Sequence, residues 1–193
     1  MKWATRAMIH FDRVIAAWLI VRFIDQAAEF TFLADDESAG EGAIVFGIAG
    51  TKLAGHGAGD TTFRRLLEAH SLDDEALRLM DSVVTAVVEH VMQDPDRSTL
   101  GTRNAHAAGL LAVAEGIMLL SSTDTECLAR SLPVYDAFYA RLQAQTAFAQ
   151  APRRPESTTV LKDTVRFSKA VRELRAAQCA YSIERFRSVL RPD

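Results

Sequence analysis

The segment 12–25, DRVIAAWLIVRFID, constrains the fold of this chain more than any other stretch. It reads as a helix over about residues 14–24 that is apolar on nearly every side. A short aromatic-basic strand, KWATR, precedes it and a second strand, EFTF, follows. Arg13, Arg22 and Asp25 nevertheless interrupt it, and Asp12 stands at its start. Charges on so apolar a helix need partners or solvent, because an unpaired buried ion is too costly to keep. In one reading Asp12 caps the helix and contacts Arg6, tying the helix to the first strand. In the other, Arg6, Arg13 and Arg22 serve as anion ligands.

EFTFLAD and AIVFGIA are short, rich in Phe, Ile and Val, and bounded by polar or glycine-containing stretches, which predicts strands. With the Trp3 segment they make a small sheet. Beyond Asp60 the pattern is helical. Ser71 and Asp74 start a helix with the stripe Leu77, Met80, Val84, Val87 and Val91, which Asp94-Pro95 stops. A second helix begins near Asn104 and carries Leu110, Val113, Ile117 and Leu120. Thr123 with Glu126 caps a third, expected to break at Pro133. After a linker-like stretch around APRRPES, one helix is expected over about residues 158–190, roughly 50 Å long. The predicted class is α+β and mainly helical: a small N-terminal sheet packed on a helical bundle, with a long C-terminal helix. Residues 1–149 form the body and 150–193 the linker and arm.

At 193 residues with 49% apolar side chains and a formal charge of −3, the chain has the composition of an ordinary soluble globular protein. Its cysteines, Cys127 and Cys179, lie far apart and have no metal-type spacing, which suits a reducing cytoplasm. The run VIAAWLIV resembles a signal peptide superficially, but Arg22 ends it and no small-residue cleavage site follows before Asp25. It is also far short of the ~20 residues of a membrane span. A cytoplasmic chain without a membrane segment is expected. Charge is uneven: residues 153–193 carry ten basic and five acidic side chains, leaving 12 basic and 20 acidic elsewhere. An acidic body and a basic tail bear on partners.

Trp3, Thr5, Arg6, Asp12, Arg13, Trp18, Leu19, Ile20, Arg22, Phe23, Ile24, Asp25 and Phe30, in that order and spacing, resemble the opening of the ChrB C-terminal domain family. That family is associated with bacterial chromate resistance. The resemblance continues through GHGAGDTTF and returns at PVYDAFYA, covering about residues 2–148. His56 matches a histidine of the family pattern. The glutamate and cysteine that accompany it in relatives are replaced here by Gly57 and Thr61. Longer relatives carry an additional N-terminal domain, and gene regulation has been attributed to the complete protein; a chain without that domain is expected here.

The glycine-rich turn 55–60 runs into a helix beginning at residues 61–63. Such a turn at a helix N-terminus gathers free N–H groups and suits an anion. Arg64 and Arg65 sit in the first helical turn, where the macrodipole disfavours cations unless an anion is near. The alternative is a glycine-permitted turn with Asp60 as N-cap. His90 ends one helix and His106 begins the next, so antiparallel packing places both at one end of a hairpin, with Glu89, Asp94 and Asp96 close in sequence. His106 continues the Leu110 stripe and is expected to point inward. Two imidazoles and a carboxylate suit Zn, Fe or Mn; the alternative is one core and one surface histidine. Cys127 lies within a capped helix and is expected to be a buried, inert thiol. Arg166, Lys169, Arg172 and Arg175 form a cationic stripe on the arm, suited to nucleic acid, to an acidic partner surface or to solvent.

The resemblance implies a chromate- or metal-stress accessory protein, and with the residues above it is expected to bind a small oxyanion or metal ion. Its anion ligands would be Arg6, Arg13, Arg22, His56, Arg64 and Arg65, and its metal ligands His56, His90, Asp94 and His106. One alternative is a metal-dependent enzyme centred on His56, His90 and His106 with a divalent Zn, Fe or Mn ion. Another is a transcriptional regulator or nucleic-acid-binding component using the basic arm. The arm's apolar stripe must dock on the body, its own or a partner's, so a homodimer is expected.

Overall fold

Strand β1 (Lys2–Arg6) turns through four residues into helix α1 (Phe11–Leu19), which continues without a break as a π-helical turn, Ile20–Ile24. The computed structural model describes residues 1–55, 59–93, 100–150, 160–176 and 182–189. Strand β2 (Glu29–Leu33) returns parallel to β1 with Trp3 opposite Phe30 and Thr5 opposite Phe32. Strand β3 (Ile44–Val45) pairs parallel on the other side of β1, giving the order β2-β1-β3. As the central strand, β1 buries Trp3, Ala4 and Thr5 in succession. Such an uninterrupted run is typical of parallel strands covered on both faces. The small parallel sheet and predominant helix match the expected α+β class.

Helices follow: α2 (Thr62–Ala69), α3 (Glu75–Gln93), α4 (Leu100–Arg103), α5 (Ala105–Leu120), α6 (Asp124–Gln150), α7 (Val160–Ala176) and α8 (Ile183–Val189). The chain divides into two compact units, Met1–Asp136 and Ala137–Asp193. The first is organised around α1, where every residue from Val14 to Ile20 is buried and which packs on α2 and α5. Trp18 and Phe11 meet Tyr135 of α6 edge to face, at centroid distances of 6.4 Å each. On α3 the stripe Leu77, Met80, Val84 and Val87 is buried as expected, but His90 takes the last inward place and Val91 is exposed. On α5 the buried set is Ala107, Leu110, Leu111 and Ala114. His106 and Val113 therefore lie outward, correcting the expected inward histidine.

Several helix starts follow their sequence signals. The Asp74 carboxylate accepts the Leu77 amide, the Asn104 side chain accepts that of Ala107, and the Thr123 hydroxyl accepts that of Glu126. Ser71 takes no part in such a box; its backbone is left-handed, φ 50°. Helix α6 does not break at Pro133. Cys127, Leu128, Ser131 and Tyr135 bury one continuous face across the proline, and this packing outweighs the one backbone bond it deletes.

The second unit has its own core. Ala144 and Ala147 from the end of α6 are buried with Ala170 of α7 and Phe186 of α8, and Phe148, Leu174 and Ile183 pack around them. Phe148 meets Phe186 edge to face at 5.4 Å. The sequence predicted one helix over 158–190; the described residues form two, and Cys179 and Leu190 lie outside those described. Among the described residues, no helix is long and apolar enough to cross a membrane.

The π-helical turn is closed by the Asp25 amide donating to the Ile20 carbonyl at 2.7 Å. Trp18 and Arg22 converge on one carboxylate: the buried indole N–H donates to Asp136 Oδ1 at 2.8 Å, and the guanidinium holds both oxygens at 2.8 and 2.7 Å. Burial pushes the Asp136 carboxyl up, but the Arg22 and Trp18 bonds outweigh it and hold its pKa low. Replacing Asp136 by Ala removes the carboxylate acceptor of a buried indole N–H, at an expected cost of about 1–3 kcal/mol. Arg22→Ala removes only a solvent-screened pair and should cost no more than about 1 kcal/mol. Tyr135→Phe deletes a buried hydroxyl that has no hydrogen-bond partner among the described residues and should be neutral or stabilising. Urea unfolding of the three variants tests this order.

Candidate functional site

The carboxyl ends of the three parallel strands meet where the strand order changes direction. The chain goes from β1 through α1 to β2 on one side, then to β3 on the other. Open parallel sheets place their ligands at such switch points. Here the edge is built from the turn 7–10, the segment after Leu33, Gly47 after β3, and the start of α2. Arg6 donates through Nη1 to the Ala34 and Glu37 carbonyls, both at 2.6 Å, fixing the segment after β2. Its Nε and Nη2 edge makes no hydrogen bond among the described residues.

Arg13 reaches back from α1 over Gly47, where a Cβ would stand 2.8 Å from Arg13 Cγ. Gly47 also has a left-handed φ of 62°, so glycine is required twice over. The Arg13 guanidinium donates to the carbonyls of Arg6 at 2.8 Å, Ala7 at 3.4 Å and Met8 at 3.1 Å. Burial lowers its pKa, and nearby Asp124, then Asp12 and Asp35, work in the opposite direction. The amides of the same turn have a carboxylate as their partner. Met8 and Ile9 donate to the two oxygens of Asp124, each at 2.9 Å.

Asp12 is not the N-cap of α1; His10 holds that position and Asp12 lies in the first turn. Nor does it meet Arg6, whose bonds go to carbonyls. It faces the start of α2, where the Thr62 hydroxyl and the Thr62 and Phe63 amides favour its charged form. Burial opposes them and is the larger effect, so the carboxyl is raised above its ordinary 3.8. The residue keeps some surface, yet Oδ1 is enclosed without a hydrogen-bond partner among the described residues. Thr61, not Asp60, caps α2 by accepting the Arg64 amide.

The other predicted arginines are held by carboxylates. Arg64 donates twice to Asp81 Oδ2, at 3.0 and 2.7 Å, and also bonds Thr85 and the Gly59 carbonyl. Arg65 grips both oxygens of Asp60 at 2.8 and 2.7 Å. Arg22 grips Asp136. These bonds raise the pKa of all three guanidinium groups. His56 and Asp94 lie outside the described residues. His90 is buried on α3 and His106 is exposed on α5. Among the described residues, no three His, Cys, Asp or Glu side chains are grouped to hold a metal ion. Cys127 is buried, and burial pushes its thiol pKa up, as an inert thiol requires. On the arm, Lys169, Arg172 and Arg175 are exposed, and Arg166 stands over the Phe148 ring at 5.9 Å.

Sequence reasoning missed Asp124 and Asp136 as partners of the opening. Each acts on residues more than a hundred positions away, and no local pattern announces the pairing. The Thr123–Glu126 cap located the helix that carries them but not what they touch.

A small parallel sheet with polar groups gathered at its carboxyl edge, set among helices, defines a mainly helical α+β domain. The chain belongs to the family described as ChrB, C-terminal domain, whose model matches residues 3–142. It is similar to Protein ChrB of Cupriavidus metallidurans (strain ATCC 43123 / DSM 2839 / NBRC 102507 / CH34), with 32% identity over 139 residues. That alignment covers 72% of this chain and 40% of the relative, so the matched region spans less than half of that protein. No solved structure matches the chain.

Because the folded state raises the Asp12 pKa, it binds that proton more tightly than the unfolded chain does. The contribution of Asp12 to stability therefore falls as pH rises from the unfolded pKa through the folded one. Asp12→Asn should remove this slope, so its stability relative to wild type should improve with rising pH. Urea unfolding between pH 4 and 8 reads the difference; parallel curves would show that Asp12 does not titrate differently on folding.

Proposed function

We propose that this domain acts as a chromate-resistance accessory protein by binding a tetrahedral oxyanion at the carboxyl edge of β1, with Arg13 and Arg6 supplying the charge. Membership in the ChrB C-terminal domain family supports the cellular role. The observation that carries the oxyanion reading is the bonding of these two arginines. Arg6 and Arg13 spend their hydrogen bonds on backbone carbonyls, whereas Arg22, Arg64 and Arg65 are gripped by carboxylates. A guanidinium held by neutral acceptors keeps its charge for a ligand. The Nε–Nη2 edge of Arg6, unused among the described residues, is the fork that pairs with two oxygens of an oxyanion.

Chromate should raise the melting temperature more than chloride at matched ionic strength. The expected rise is about 2–4 °C, corresponding to roughly 1 kcal/mol of ligand-linked stability in a chain of this size. Arg13→Gln and Arg6→Gln should remove most of the rise. Arg78→Gln, on an exposed pair with Asp73, should retain it. Equal melting temperatures in chromate and chloride would reject the oxyanion site.

A further inference from the structure

The first turn of α6 is capped without Asp124. The Thr123 hydroxyl accepts the Glu126 amide at 3.1 Å, and Glu126 Oε2 accepts the Ser122 amide at 2.8 Å. The Asp124 carboxylate is directed instead at a turn 115 and 116 positions away. There its two oxygens lie on two successive amides, Met8 and Ile9, each at 2.9 Å. Consecutive amides that converge in this way form an anion-binding nest. The turn has features that suit an exchangeable occupant. Met8 is 75% exposed, and its φ of 54° is uncommon for a residue other than glycine. Arg13 holds the carbonyls of the same turn, and Asp124 is the strongest favourable charge acting on its guanidinium.

We propose that Asp124 is an internal stand-in for the ligand: an oxyanion displaces its carboxylate from the Met8 and Ile9 amides beside Arg13 and unties the start of α6 from the β1–α1 turn. The inference rests on the oxyanion reading above and adds the regulation of that site. A tetrahedral dianion presents the same pair of oxygens with twice the charge, so it can replace the carboxylate without rebuilding the turn. The Thr123–Glu126 cap keeps α6 helical after the tether is lost. Asp124 therefore sets a threshold, because free oxyanion must outcompete a carboxylate that is always close by.

Isothermal titration of the full chain with chromate tests the competition. Asp124→Asn weakens the internal competitor and should tighten chromate binding about tenfold, the scale of a charge-assisted hydrogen bond. A purely structural Asp124 would leave the affinity unchanged or lower it, and either result overturns the proposal. In the wild-type protein, an NMR titration with chromate should move the Met8 and Ile9 amides and the Asp124 carboxyl carbon along one saturation curve. An Asp124 carbon that stays fixed at saturation also overturns it, whether or not the variant folds. Binding to both proteins with equal affinity removes the stand-in and leaves the oxyanion site intact. Binding to neither removes both.

Discussion

Burial of α1 on every side is the constraint on which the first unit depends. A helix with no solvent face along its apolar run leaves nearby polar groups little water, so most of them need a partner inside the protein. The two tryptophans show how this is met. Trp18 donates to Asp136, which also takes Arg22 from the π-helical turn. Trp3 donates to Asp25 at 3.0 Å, just past the end of that turn, and the N-terminal ammonium joins it at 2.6 Å. The ammonium first and Trp3 second hold the Asp25 carboxyl below its usual range. At the other end of α1, Arg13 turns back onto carbonyls of the preceding turn.

The same requirement sorts the arginines. One gripped by an intramolecular carboxylate is difficult for an outside anion to reach, because the internal partner acts at high effective concentration. Arg64 and Arg65 are of this kind, although the glycine-rich turn and helix N-terminus beside them resemble an anion cradle in sequence. The start of α2 faces a carboxylate of its own chain, Asp12. Arg64, Arg65 and the start of α2 thus have partners within the fold, while at the carboxyl edge of β1 Arg6 and Arg13 direct their hydrogen bonds to neutral carbonyl oxygens.

Much of the fold was legible because its signals are local. The three strands, the Asp74, Asn104 and Thr123 caps and most of the α3 stripe depend on neighbours within a few residues. The misreadings occurred where tertiary packing decided between adjacent positions. At the end of α3 His90 rather than Val91 faces inward, and on α5 Ala107 rather than His106, where a helix nearly uniform in hydropathy gives no strong phase. Pro133 signals a break locally, because the buried face that carries α6 past it depends on distant partners. In the candidate site, Arg6 and Arg13 were identifiable from the family-like opening. Their distinction from Arg22, Arg64 and Arg65 was not, because it depends on which carboxylate each side chain reaches.

The distribution of tryptophan gives the molecule an optical asymmetry. Both tryptophans of the chain lie in the unit Met1–Asp136, each in contact with a carboxylate, and the unit Ala137–Asp193 has none. Indole emission during denaturation therefore follows the sheet-containing unit alone, whereas far-ultraviolet dichroism weighs the helices of both. Coincident transitions would mean that the two units unfold as one cooperative system. A dichroism change displaced from the fluorescence change would measure the separate stability of the arm and the end of α6 without a label or a truncation.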